Sequence, residues 1–385
     1  MNGDSGTAAA LLLPVCLAAV LLVSVAGCGR CEATVEPDET LSSEGAMFRG
    51  GLRRTGVVDD DMELPLQEIW RFDAGTPIHS SPIVAGGLVC FGGTDGVMHA
   101  LDAETGLERW QYKTGGAIAS SPAVAGGVVF FGSNDGHVYA LDARTGKLRW
   151  RVETGQNVTC SPAVAAGVVY CGAHDGNLYA LDAARGRERW RFKAAGGVVS
   201  SPAVVDSTVF FGSLNGFCYA LDVATGEVRW QAEVGGAIIS SAACKDAAVY
   251  VGGQDCWMYA LDAASGEQLW RCKTSDDEGW ISSSPAVTDS WVLFGGMDHF
   301  FYAVDRRDGT LEWRFETGGR VYSSPAVVNG KVVFGGDDHN LYVLGIATGK
   351  ELWRFPAGGK VSASPALHGG RVFFGCYDGN VYAFE

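Results

Sequence analysis

Histidines, cysteines and clustered carboxylates are the side chains with which this chain of 385 residues would bind a metal or attack a substrate, and their spacing argues against both. Seven histidines are scattered along the sequence. His299 and His339 come nearest to a ligand pattern, the first beside Asp298 and the second beside Asp337 and Asp338. Both stand in short polar turns, so exposed turn residues are expected there and no metal site. Of eleven cysteines, Cys16 and Cys28 belong to the N-terminal stretch treated below. With Cys28 set aside for lipidation, the other nine form no CxxC pair among themselves and no framework spacing, which points to neither a zinc ribbon nor a thioredoxin-type motif. Most stand where sibling repeats carry Ser, Val or Phe and are expected as small buried hydrophobes. Cys256 and Cys272 are the exception, falling on neighbouring strands nearly opposite each other as a candidate disulfide in an oxidising compartment. No Gly-x-Ser-x-Gly elbow, His-Glu-x-x-His pair or P-loop occurs. No catalytic, cofactor-binding or metal-binding residue is assigned.

The elements that would position such residues are repeats. Trp70, Trp110, Trp150, Trp190, Trp230 and Trp270 recur every 40 residues, Trp313 follows after 43 and Trp353 after 40 more. Between them one pattern returns: a Gly-rich turn, Ser-Ser-Pro-Ala-Val, an apolar run ending in Gly, a turn such as Asn134-Asp135-Gly136, then Tyr-Ala-Leu-Asp and a Thr-Gly turn. Short runs rich in Val, Phe and Tyr between Gly and Asp are strands, four to a repeat, closed by turns that accept positive φ. Pro82, Pro122, Pro162, Pro202, Pro285, Pro325 and Pro365 fall in the first strand of their units. Proline cannot donate to a ladder, so that strand is an edge, facing a central channel. Eight such starts, with Ala242 in place of Pro in the fifth, and eight Tyr-Ala-Leu-Asp-type strands predict an all-β, eight-bladed propeller of four-stranded antiparallel blades over 67–385. The last repeat, ending in Tyr382-Ala383-Phe384-Glu385, lacks a Trp strand, and a spare one lies at the front around Trp70. Pairing of the two closes the ring.

Function is expected where the repeats differ. The residue opening the third strand is Phe217, Trp257 and Phe300 in blades four to six, where three other blades carry Asn. Three positions earlier Leu214 and Met297 replace mostly polar residues, and the single insertion, Asp276-Asp277-Glu278, brings Trp280 to the same face. Aromatics grouped with Met and rimmed by charge have the anatomy of a partner-binding patch. A second candidate is the channel mouth, where His79, Arg320, Tyr322 and Lys360 occupy matched positions suited to a small anion.

A net charge of −15 with no basic stripe excludes nucleic-acid binding. Residues 1–27 are almost wholly apolar from Ala8 and read as a secretory signal, and Val25-Ala26-Gly27-Cys28 resembles a lipobox with Cys28 as the lipidated residue. The same stretch is also long enough to span a bilayer as an uncleaved anchor. Residues 28–66 are expected as an acidic tether.

The pattern Ala-x-Asp-x-x-x-Gly-x-x-x-Trp, as from Ala100 through Asp102 and Gly106 to Trp110, resembles the tryptophan-docking motif of pyrroloquinoline-quinone-type propellers. It recurs from Ala140, Ala180, Ala220, Ala260 and Ala303, and departs at Val343 and Gly345. Met47 to Gly56 is similar to the lead-in of secreted propellers of this kind. The resemblance implies that each Trp docks on the neighbouring blade's turn. It also implies two occupations: quinone-dependent dehydrogenases that hold the quinone with calcium, and cofactor-free lipoproteins such as the outer-membrane assembly protein BamB. The first type carries adjacent cysteines and long insertions, and this sequence has no Cys-Cys pair and a single short insertion. The expectation is therefore a monomeric, non-catalytic, periplasm-facing outer-membrane lipoprotein without cofactor, whose partners are envelope proteins. A quinone-dependent oxidoreductase and a ligand-sensing propeller are the alternatives.

Overall fold

Glycine and Asp-Gly turns cut the chain into short strands, and in the computed structural model, which describes residues 46–275 and 279–385, these form eight antiparallel sheets. Seven blades follow the chain in order, the first from Ile83–Ala85 to Glu108–Lys113 and the seventh from Ala326–Val328 to Glu351–Pro356. The eighth is composite. Its inner three strands end with Asn380–Phe384, and its outer strand is Glu68–Asp73, paired antiparallel as Glu68↔Phe384 and Asp73↔Asn380. Gln67 and Glu385 exchange both backbone bonds and extend the seam.

Two side-chain devices join the blades. The first is a closed ring of serines next to the prolines. The Ser81 N–H donates to Ser121 Oγ, Ser121 to Ser161, and so on round to Ser364, whose N–H returns to Ser81 Oγ, all at 2.9–3.1 Å. The prolines stand just before the short inner strands rather than within them, so the serine rather than the strand carries the lateral link. The second is the tryptophan. Trp110 Nε1 donates to Ala143 O at 2.7 Å, and Trp70, Trp150, Trp190, Trp230, Trp270 and Trp313 make the same bond to the next blade. The indole lies on the turn glycine: a Cβ on Gly146, at φ +67, would come within 2.7 Å of Trp110. That contact explains Gly four residues before each Trp. Trp353 faces the seam instead, 5.6 Å from the ring of Phe384. The hydrophobic core lies between blades, as where Met98 and Trp110 of the first pack with Phe131 and Leu141 of the second.

A free tether over 28–66 is not what the structure has from residue 46 onward; residues 28–45 lie outside those described. Residues 46–58 run around the inside of the channel. The inner strands present unpaired N–H groups toward the axis, a polar edge that has to be covered. Ala46 O accepts from Val124, Leu52 O from Val204, Arg53 O from Cys244, Thr55 O from Val287 and Gly56 O from Val327, at 2.7–2.9 Å. Val57–Val58 then adds parallel to the inner strand of blade seven. Gly50, Gly51 and Gly56 have positive φ, as do Arg49 and Arg54, which lets so short a segment turn inside a ring. The segment leaves past blades seven and eight, where Asp61 accepts from Asn329 at 2.7 Å and Met62 and Leu66 join the core.

Two buried guanidiniums fasten this plug. Arg54 donates to Phe48, Ser161, Pro162 and Pro202 carbonyls, the last at 2.6 Å, tying blades three and four to the plug. Arg49 donates to the carbonyls of Arg54, Ser284 and Pro285. Burial lowers Arg49 to a pKa of about 9, with Arg54 adding repulsion. Burial likewise lowers Arg54 to about 10. Both remain charged at neutral pH.

Candidate functional site

The face carrying the turns between second and third strands also carries the loops that enter each blade, and both sequence candidates lie on it. The recurrent Asp of these turns is a fixture of the fold. Asp135 Oδ2 accepts from Tyr139 OH at 2.7 Å and from Gly115 N of the preceding loop at 2.8 Å. Asp175, Asp255, Asp298, Asp338 and Asp378 accept the matching tyrosine bond. His299 and His339 stand at the glycine position of this turn with φ near +70°, as turn residues. Among the described residues no three His, Cys, Asp or Glu side chains converge as a metal site.

At the channel mouth the structure seats one of the expected residues, Lys360, on a carboxylate. Asp337 Oδ2 lies 2.9 Å from Lys360 Nζ and its Oδ1 accepts from Ser362 Oγ at 2.8 Å. Lys360 is held above its ordinary range by that hydrogen bond and charge, with Tyr377 and Tyr322 close enough to add to it. His79 is lowered by burial and meets Tyr377 OH at 3.1 Å, their rings 4.5 Å apart. Arg320 is exposed and contributes its carbonyl to Asp337 N. Lys360 is thus neutralised by Asp337, a partner across the blade boundary that matched-position reasoning overlooked. The mouth is a polar cluster rather than an open cationic seat.

The opposite arc, over blades four to six, is apolar. Leu214 is 38% exposed, Ile239 37% and Trp280 46%, and Met297 donates its N–H to Trp280 O at 3.0 Å. Gly197 leaves room for Leu214, whose Cδ1 would lie 3.1 Å from a Cβ there. Ile239 escaped notice because it stands in the inner-strand column. Its siblings, His79, Thr159, Tyr322 and Ser362, show that column to be reachable by solvent.

The three aromatics of the third strands separate from this arc. Trp257 packs partly against the core between blades four and five and is capped by the guanidinium of Arg271, 4.3 Å from its ring centre, with Lys273 at 5.9 Å. Phe300 is capped by Arg314 at 4.4 Å, and Phe217 leans on Tyr219 at 6.1 Å. All three are half-buried. The sequence predicts one continuous aromatic patch; what is exposed instead is an aliphatic–indole arc at the inner rim, with cation-capped rings outside it. Long cationic side chains two strand positions away reach over a ring and cover it. Asp276, Asp277 and Glu278, expected as the acidic rim, lie outside the described residues.

The candidate disulfide is also corrected. Cys272 pairs with Met258 across the ladder, whereas Cys256 stands in the turn at φ 71 with its carbonyl taking Thr274 N–H. The two are out of register by a turn, and both are free thiols.

This geometry can be set beside known proteins. A family model described as the β-propeller of the beta-alanine-activating enzyme matches residues 123–329. The chain belongs to this propeller family. Its fold is that of the eight-bladed, pyrroloquinoline-quinone-like propellers, including BamB. BamB from Moraxella catarrhalis superposes with a TM-score of 0.73 at 19% identity, covering 83% of this chain and 100% of that one. A europium-containing methanol dehydrogenase gives 0.77 at 15% identity, over 90% and 100%. The computationally designed Ika8 protein gives 0.73 at 20%, over 83% and 99%. No curated protein matches the sequence. At these identities the likeness is one of fold.

Proposed function

We propose that this propeller is a non-catalytic scaffold that binds a protein partner through the arc of Leu214, Ile239 and Trp280, in the cell envelope, to which lipidation at Cys28 would anchor it. The exposure of these three large apolar side chains on one rim carries the reading. Covering the open part of Trp280 alone would remove roughly 100 Å² from water, about 2–3 kcal/mol of binding. Kinship in fold with BamB agrees with an envelope partner.

The rival reading, a quinone-dependent oxidoreductase, takes its support from the dehydrogenase folds. The residues at the mouth do not fit a quinone with calcium. Hard cations take six to eight oxygen ligands, and the one carboxylate drawn into the polar cluster, Asp337, is occupied by Lys360 and Ser362.

The test is chemical cross-linking of the purified full chain in envelope extract, comparing it with a Leu214→Ser, Trp280→Ala variant. A discrete cross-linked partner should be lost in the variant while the unfolding free energy stays within about 0.5 kcal/mol. Equal cross-linking by both proteins would sink the arc as the binding surface. Stoichiometric quinone uptake in the presence of calcium, seen as an absorbance shift, would sink the non-catalytic reading.

A further inference from the structure

The plug serves six of the eight inner strands. Val124, Val204, Cys244, Val287 and Val327 give their inward N–H groups to plug carbonyls, and Val164 N lies 3.3 Å from Met47 Sδ. Blades eight and one are left over. Val84 pairs with Val89 and Leu367 with Val372, the register in which Val124 pairs with Val129, so both N–H groups also face the axis. Among the described residues no backbone carbonyl accepts from either. These strands are neighbours, joined by the Ser364 N–H to Ser81 Oγ bond of 2.9 Å. Beside them is a cavity of about 230 Å³, lined by Arg49, Val84, Ala366 and Leu367 among others. A single water needs only roughly 10–15 Å³ by such a measure.

The plug shows which chemistry fills such a place. Leu52 and Arg53 carbonyls, one peptide unit apart, serve blades four and five; Thr55 and Gly56 carbonyls serve six and seven. Two successive carbonyls therefore span two adjacent blades. Arg49, 8% exposed at the cavity wall, makes hydrogen bonds to backbone carbonyls and has no ion pair among the described residues. An anion placed there would offset a buried charge.

We propose that this cavity binds a short extended peptide from another molecule, two successive carbonyls accepting from Val84 and Leu367 N–H and its terminal carboxylate facing Arg49. The site is distinct from the Trp280 arc and stands or falls separately. The probe is the tripeptide Ala-Gly-Gly as free acid, titrated into the full-length protein by calorimetry and by amide ¹H–¹⁵N spectra. Binding should shift the Val84 and Leu367 amides, and amidating the peptide should weaken it at least tenfold. Ala366→Leu, which enlarges a side chain lining the cavity, should weaken it at least tenfold in a variant that circular dichroism shows to be folded. Leu367→Phe serves as a second filler should Ala366→Leu not fold. Unshifted Val84 and Leu367 amides at millimolar peptide would overturn the proposal. So would acetate binding as tightly as the peptide, or undiminished binding by a folded filler variant.

Discussion

Arg54 is the most exacting test of the plugged channel. Arg54→Met keeps the length of the side chain and removes its charge and donors. Four carbonyls, of Phe48, Ser161, Pro162 and Pro202, the last three buried, lose their partner. Hydrogen bonds to a charged donor contribute roughly 1.5–2 kcal/mol each at the lower end of their range, so the gross loss is about 6–8 kcal/mol. Against this stands the relief of a buried charge. Burial brings Arg54 from 12.5 to about 10, and that difference corresponds to roughly 3 kcal/mol. The net destabilisation expected is about 3–5 kcal/mol, the range for breaking a buried polar arrangement from one side. Urea unfolding followed by tryptophan fluorescence reads the total, and amide exchange reads its location. Val204 and Cys244, whose N–H groups depend on Leu52 and Arg53 carbonyls, should exchange faster, while Val89 in the second strand of blade one should not. Arg54→Lys keeps the charge without the fork that reaches two blades and should fall between. An unfolding free energy within about 1 kcal/mol of the parent, with Val204 and Cys244 still protected, would refute the idea that Arg54 fastens the plug.

Three further outcomes follow from the same structure. Gly146→Ala puts a methyl into the Trp110 indole at a positive φ and should cost roughly 2–4 kcal/mol; a loss below 1 kcal/mol in urea unfolding would show that the tryptophan moves aside freely. Acid should unfold the ring late. The Arg109 hydrogen bond holds Asp102 at about 2, Arg307 does the same for Asp305, and Arg149, Arg189 and Arg229 lower Asp142, Asp182 and Asp222. Carboxyls depressed on folding stabilise above their unfolded value of 3.8 and lose that contribution as pH falls through the folded one. Stability that is flat above pH 4 and falls towards pH 2 is expected in circular dichroism, and a decline already complete at pH 5 would contradict it. Within 46–385, a water-soluble maleimide should label Cys272 first, the one half-buried thiol, and the rest only after unfolding; a peptide map showing Cys256 joined to Cys272 would reverse the register argument.

The blade count was legible because forty-residue spacing, Ser-Pro starts and Trp strands repeat the same physical demand eight times, and the seam at Trp70 follows from counting strands. The plug was not. Residues 46–58 have neither helical nor strand periodicity, and a Gly- and Arg-rich run before a repeat array reads as linker. The available signal was indirect: eight inner edges with unspent N–H groups require acceptors. The binding face was half legible. Leu214 and Trp280 stand out from their columns and are exposed, but Phe217, Trp257 and Phe300 stand out equally and are covered, because the cations over two of them lie on the fourth strand. Cys256 and Cys272 failed on one detail of register, since a turn residue at positive φ does not continue the alternation of the strand that follows it.

Because Glu68–Asp73 pairs with Asn380–Phe384, a strand translated before the seven consecutive blades waits for one translated after them. Through most of synthesis that outer strand has no sheet to join, while the plug just ahead of it meets the inner strands of blades two to seven in the order in which they emerge. The N-terminal segment can thus act as a spindle on which successive blades are laid down, each new inner strand finding a carbonyl already in place. Closing the seam is then a final, long-range step, of the kind whose entropy cost slows assembly and leaves edges exposed meanwhile.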